Sequence, residues 1–100
     1  MEIRFRTTKL EKQYLDYREA SRAYGQQVAK RYIMRINMIK AAKCFDDLYV
    51  IPTLKFHPLE GNRKGEFAVT LTGFYRLIIT NDGETFDIAR IEEVSKHYGD

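Results

Sequence analysis

Hydrophobic residues along this chain change their period several times, and each change marks an element. Ile3 and Phe5 alternate with charged residues between Glu2 and Arg6, which predicts a short first strand. Thr8-Lys9-Leu10-Glu11 has the spacing of a capping box, in which the threonine hydroxyl takes the Glu11 amide and the glutamate reaches back. Leu10, Tyr14 and Tyr17 follow at helical spacing and predict a first helix to about Ala20, with a break or restart between Ser21 and Gly25. From Gln26 to Cys44 the pattern is helical again, with Ala29, Tyr32, Ile33, Ile36 and Ile39 on one stripe. The opposite side carries Arg31, Met34, Arg35 and Met38. Methionines set among arginines are expected to be covered, either by the first helix or by a partner protein.

Phe45–Val50 reads as a short helical turn, and Pro52 and Pro58 then bracket an extended segment, because proline disfavours helix in the residue before it. His57 to Gly65 is a loop of turn-forming and basic residues. Phe67, Val69 and Leu71 alternate, Thr72-Gly73 turns the chain, and Tyr75, Leu77 and Ile79 alternate again, which predicts a hairpin. Asn81-Asp82-Gly83 makes a second turn before a last strand that begins with Phe86 and Ile88. The apolar phase slips between Ile88 and Ile91, so a bulge or bend is expected there. The order is strand, two helices, three antiparallel strands. That predicts an α+β fold, with both helices on one face of an antiparallel sheet and the other face open for chemistry. At 100 residues the chain is expected to be one domain, residues 1–100.

Charge adds a polarity that the net value of +3 conceals. Arg22, Lys30, Arg31, Arg35, Lys40 and Lys43 stand in a stretch without an acidic residue, whereas Asp82, Glu84, Asp87, Glu92 and Glu93 share theirs with Arg90 alone. Such a surface attracts nucleic acid or an acidic protein. The only cysteine, Cys44, can form neither an internal disulfide nor a cysteine-based metal site. Apolar runs reach four or five residues, far below the roughly 20 needed to cross a bilayer. The start of the chain has no secretory pattern, so a soluble, cytoplasmic protein without membrane contact is expected. There is no glycine-rich phosphate loop, no nucleophile elbow and no Walker motif, and the long basic helix reads as a sheet-packing element rather than a DNA reader.

What remains is a set of cations and two histidines. Arg76, inside the strand Tyr75–Ile79, points away from the core by alternation. It either pairs with Asp87 or Glu92 across the ladder, or clamps a phosphate through its guanidinium fork. His57 and His97 are the only histidines. Cleaving RNA needs a base for the 2′-hydroxyl, an acid for the departing 5′-oxygen and cations for the phosphorane, and imidazole can serve as acid or base near neutral pH. Tyr98 is a candidate acid or base-stacking platform. Lys55, Lys64 and Lys96 add positive charge that would favour RNA. No step calls for a metal or cofactor, and two histidines so far apart make a poor metal site.

Taken together, these residues resemble the RelE/ParE superfamily, and most of all its HigB-like branch. The resemblance rests on His57-Pro58-Leu59-x-Gly61-x-Arg63-Lys64-Gly65, Ala68-Val69-x-Leu71 and Tyr75-Arg76-Leu77-Ile78. Upstream, Lys9-Leu10-Glu11-Lys12, Tyr24-Gly25 and Arg35-Ile36 also match. It implies a microbial-ribonuclease-like fold and a toxin that cleaves messenger RNA, commonly at the ribosome. A co-encoded HigA-like antitoxin with a helix-turn-helix domain would neutralise it. By position, His57 would be an active-site histidine, Arg63 and Arg76 would bind the scissile phosphate, and the C-terminal pair His97 and Tyr98 would supply acid or base. Many relatives end in Asp-Tyr-His where this chain reads Lys96-His97-Tyr98, and a one-residue shift on a strand exchanges faces. Which of His97 and Tyr98 faces the site is therefore open. Two other readings share the fold: a ParE-like, non-catalytic poison of a protein such as DNA gyrase, and a basic RNA-binding module with a degenerate site. The antitoxin is expected on the Arg31/Met34/Arg35/Met38 face or on the basic sheet face.

Overall fold

The computed structural model describes residues 1–96. After β1 (Glu2–Phe5), the region read as one helix is two, α1 (Thr8–Leu15) and α2 (Tyr17–Tyr24). Asp16 divides them. It leaves helical space at φ −133° and ψ 107°, closes α1 by donating its amide to the Lys12 carbonyl, and opens α2 by accepting the Arg18 amide at 2.9 Å. The cap of α1 is Thr7 rather than Thr8, its hydroxyl taking the Leu10 amide at 3.1 Å. Gly25, at φ 85°, separates α2 from α3 (Gln26–Ala41) with a backbone that few other residues adopt. A single turn, α4 (Phe45–Leu48), follows.

Five strands form one sheet in the order β1-β5-β4-β3-β2, with β2 at His57–Pro58, β3 at Glu66–Thr70, β4 at Tyr75–Asn81 and β5 at Ile88–Lys96. The sheet is antiparallel except at one edge, where β1 runs parallel to β5. The helical stretch carries the chain across the sheet after β1, so the first and last strands meet in the same direction. Ala29, Tyr32, Ile36 and Ile39 of α3 are fully buried in one cluster with Val69, Leu77, Ile79, Ala89 and Ile91 of the sheet. Tyr32 ties α3 to α1 through a 2.7 Å bond to the Leu10 carbonyl, and burial pushes its phenol well above the usual tyrosine range.

The bulge lies one step beyond the expected place. Ile78 pairs with Glu93 and Ile79 with Ile91, so Glu92 has no opposite residue. Two consecutive glutamates therefore face the side away from the helices, where Glu92 meets Thr80 at 2.7 Å and Arg90 at 3.1 Å. Phe86 belongs to the loop before β5 and is exposed.

The Arg31/Met34/Arg35/Met38 side of α3 is not a free surface. Arg35 is buried with its Nε 3.1 Å from the Thr70 carbonyl, and Arg31 reaches the Leu71 carbonyl at 2.9 Å. Residues four apart share a helix face, so the two guanidinium groups meet the end of β3 side by side. Met38 packs on the core, which leaves Met34 as the exposed member of the four.

Candidate active site

The segment entering β2 is set by one aromatic residue. Phe56 stacks on Phe67 at 5.1 Å between ring centres and receives the edges of Phe45 and Tyr49 at 5.8 and 4.8 Å. With Phe56 turned into the core, its neighbours Lys55 and His57 are both exposed. The expected extended run from Pro52 is replaced by a 3₁₀ turn, Pro52–Leu54, that ends on Lys55 in the left-handed region at φ 47°, ψ 42°. Such a backbone costs a residue with a side chain about 1–2 kcal/mol. Its geometric result is that the Lys55 carbonyl lies 2.9 Å from His57 Nδ1. A carbonyl oxygen can only accept, so Nδ1 carries the proton. In the neutral ring the lone pair is then on Nε2, facing away from the backbone.

On the open side of the sheet, register sets Arg76 between Thr70 of β3 and Ser95 of β5. Both neighbours are uncharged, so neither proposed partner is present. Asp87 accepts instead from the Phe45 amide at 2.7 Å and from Asn81 at 2.8 Å, and those bonds hold its carboxyl below the usual range. Glu92 serves Thr80, Arg90 and Arg6. Arg76 Nε is buried without a hydrogen-bond partner. Arg76 lines a cavity of about 300 Å³ together with Lys55, His57, Thr70, Thr72 and Tyr75, and among the described residues no carboxylate lines that cavity. Among the described residues, Arg4, Arg6, Arg18, Arg22, Arg63 and Arg90 each meet a carboxylate, and Arg31 and Arg35 meet backbone carbonyls. Arg76 is the arginine left over. A guanidinium that meets no carboxylate among the described residues, in a concave site lined by cations and hydroxyls, is arranged for an anion.

Arg63 stands differently. Its Nε is 2.5 Å from Glu66 and its guanidinium 3.4 Å from Glu93, and these carboxylates, Glu66 first, raise its pKa further. Glu66 and Glu93 belong to the strands on either side of β4, so Arg63 bridges the sheet beside the cavity rather than lining it. Lys64 is exposed at the end of the adjacent 3₁₀ turn, Gly61–Arg63. Lys96 is in register with Tyr75, its Nζ 5.8 Å from the ring centre. His97 and Tyr98 lie outside the described residues. Thr70, Thr72 and Tyr75 line the cavity without having been singled out in the sequence. The Glu66 partnership could have been read from its spacing to Arg63, whereas nothing local announces Glu93.

The family model for the HigB-like toxin, a RelE-like toxin of type II toxin–antitoxin system HigB, matches residues 3–89. The chain belongs to that family. Solved structures agree with the fold of this HigB-like chain. YafQ from Escherichia coli strain BL21(DE3) superposes with a TM-score of 0.60 at 17% identity, covering 95% of this chain and 91% of YafQ. The YoeB/ParE toxin from Agrobacterium tumefaciens gives 0.59 at 17% identity over 98% and 100% of the two chains. A chain of the YoeB–YefM complex from Staphylococcus aureus gives 0.54 at 18% identity over 98% of each. No curated protein sequence matches the chain significantly. Among the described residues, no helix is long and apolar enough to cross a membrane.

Proposed function

We propose that this HigB-like toxin is an endoribonuclease that cleaves messenger RNA at the ribosome without a metal. The observation that carries the reading is Arg76, whose Nε is buried without a hydrogen-bond partner and which shares with Lys55 and His57 a cavity that, among the described residues, no carboxylate lines. A phosphodiester fits that set. Neutral His57, with its proton fixed on Nδ1, offers Nε2 to the 2′-hydroxyl and removes its proton. The 2′-oxygen attacks phosphorus, and Arg76 and Lys55 offset the charge that builds on the phosphorane oxygens. The bond to the 5′-oxygen breaks and that oxygen takes a proton from the C-terminal pair His97 and Tyr98, leaving a 2′,3′-cyclic phosphate and a 5′-hydroxyl. Every proton and bond is accounted for by side chains, so the scheme needs no cofactor.

The partner follows from the family. A type II toxin is held inactive by a cognate antitoxin, here one of HigA type with a helix-turn-helix domain. Arg31, Arg35 and Met38 are occupied within the fold, which supports an antitoxin seated on the open face of the sheet around Arg76, Lys55 and His57, with Met34 at most a secondary contact.

Induced expression in bacteria lacking the antitoxin, with messenger 5′ ends mapped, tests the reading. New ends inside coding regions are expected for the wild type and are expected to vanish for His57→Ala. Growth arrest with no new ends would sink the ribonuclease and favour a protein target.

A further inference from the structure

Phe74 and Phe86 are exposed aromatic residues for which neither the fold nor the cleavage chemistry has a use, and of the two Phe74 adjoins the site. The residue is 63% exposed in the β3–β4 turn. Thr72, Gly73 and Tyr75, its neighbours in the chain, all line the Arg76 cavity, so Phe74 adjoins the edge of the site. The turn is held firmly. The Thr72 hydroxyl accepts the amides of Phe74 and Tyr75, each at 3.2 Å, and the amides of Leu71 and Thr72 both reach the Tyr75 carbonyl, at 3.0 and 3.1 Å. From beneath, Arg31 and Arg35 grip the carbonyls of Leu71 and Thr70. An apolar ring is thus presented to water on a braced turn, beside cations suited to a phosphate.

We propose that Phe74 is a nucleobase platform, stacking on the unpaired base of the RNA nucleotide next to the phosphate bound by Arg76. The inference rests on the ribonuclease reading and deepens it by assigning a specificity-determining residue. Stacking suits the position because every base has a flat π-face and the braced turn has already lost the freedom that binding would otherwise remove. Charge separates Phe74 from Phe86, which is 81% exposed but sits among Asp82, Glu84 and Asp87, where a polyanion is repelled.

The test uses the full chain in a bacterial translation extract, with messenger 5′ ends mapped for wild type, Phe74→Ala, Phe74→Tyr and Phe74→Leu. Phe74→Ala is expected to need roughly 5- to 150-fold more protein for equal cleavage, and to spread its cuts over a wider set of sequences. Tyrosine is expected to restore dose and cut sites, and leucine neither. Wild-type dose and sites in Phe74→Ala would overturn the assignment, and so would rescue by leucine, because any apolar contact would then suffice. All variants are expected to melt like the wild type, and an unfolded Phe74→Ala would place the ring in the fold instead. Normal cleavage by Phe74→Ala with loss of neutralisation by the antitoxin would make Phe74 part of the protein interface. A wild type that makes no cuts would fail the ribonuclease reading itself, and its own lane reports that separately.

Discussion

Replacing Arg76 by methionine should make the protein more stable and nearly inactive. In the structure Arg76 Nε is buried without a partner, and the flanking residues on β3 and β5 are Thr70 and Ser95, which lose no ion pair when the guanidinium goes. A buried unsatisfied donor costs about 1–3 kcal/mol, whereas methionine keeps the length of the stem and can lie along the sheet. Allowing for imperfect repacking, a net gain of about 1 kcal/mol is expected, which for a domain of this size raises the melting midpoint by roughly 4–8 °C. The same change removes the main cation facing the phosphorane and should reduce cleavage about 10²–10³-fold. Thermal melts followed by circular dichroism read the first quantity, and 5′-end mapping at matched protein doses reads the second. A fall in the melting midpoint would mean that Arg76 supports the fold, and the anion-site argument would lose its basis.

Two further substitutions probe the neighbours of that site. Lys55→Gly relieves the left-handed backbone at φ 47° and should melt higher than Lys55→Ala by about 1 kcal/mol. Both variants keep the carbonyl that holds His57, and both should lose activity to the same extent through the missing ammonium. Equal stability of the two would refute the strain, and full activity in either would remove Lys55 from the phosphate site. Asp87, held below the usual carboxylate range by the Phe45 amide and then by Asn81, adds stability that is complete above the unfolded value near 3.8 and is lost as pH falls through the lower folded value. Urea midpoints should therefore show wild type ahead of Asp87→Asn at pH 7, with the gap closing as the pH drops below about 4. A gap that is constant with pH would show that the carboxylate charge contributes nothing.

Several elements were legible in the chain because their signals are local. The stripe Ala29, Tyr32, Ile36, Ile39 and the alternation of Phe67, Val69, Leu77 and Ile79 each report a face buried against something, and periodicity carries that message within a dozen residues. The break at Asp16 was missed because an aspartate inside a helical pattern looks like an exposed position until its side chain turns to cap the next helix. The apolar phase points to a bulge between Ile88 and Ile91, one step before its observed place. Ala89 and Ile91 keep phase with the core, and only the pairing with β4 shows that the extra residue is Glu92.

The residue pattern alone is enough to read an α+β chain with a long core-facing helix, a hairpin carrying Arg76 outward, and a basic loop around His57 and Arg63. These follow from periods of 2 and 3.6 and from turn chemistry, which act between near neighbours. Which cations remain available is set by the folded sheet. Arg35 was spent on the Thr70 carbonyl, Arg63 on Glu66 and Glu93, and Arg76 was left among hydroxyls beside His57. Apart from the local pair Arg63–Glu66, these contacts need distances of about 3 Å between residues 30 or more positions apart, and those distances exist only once the sheet has set its register.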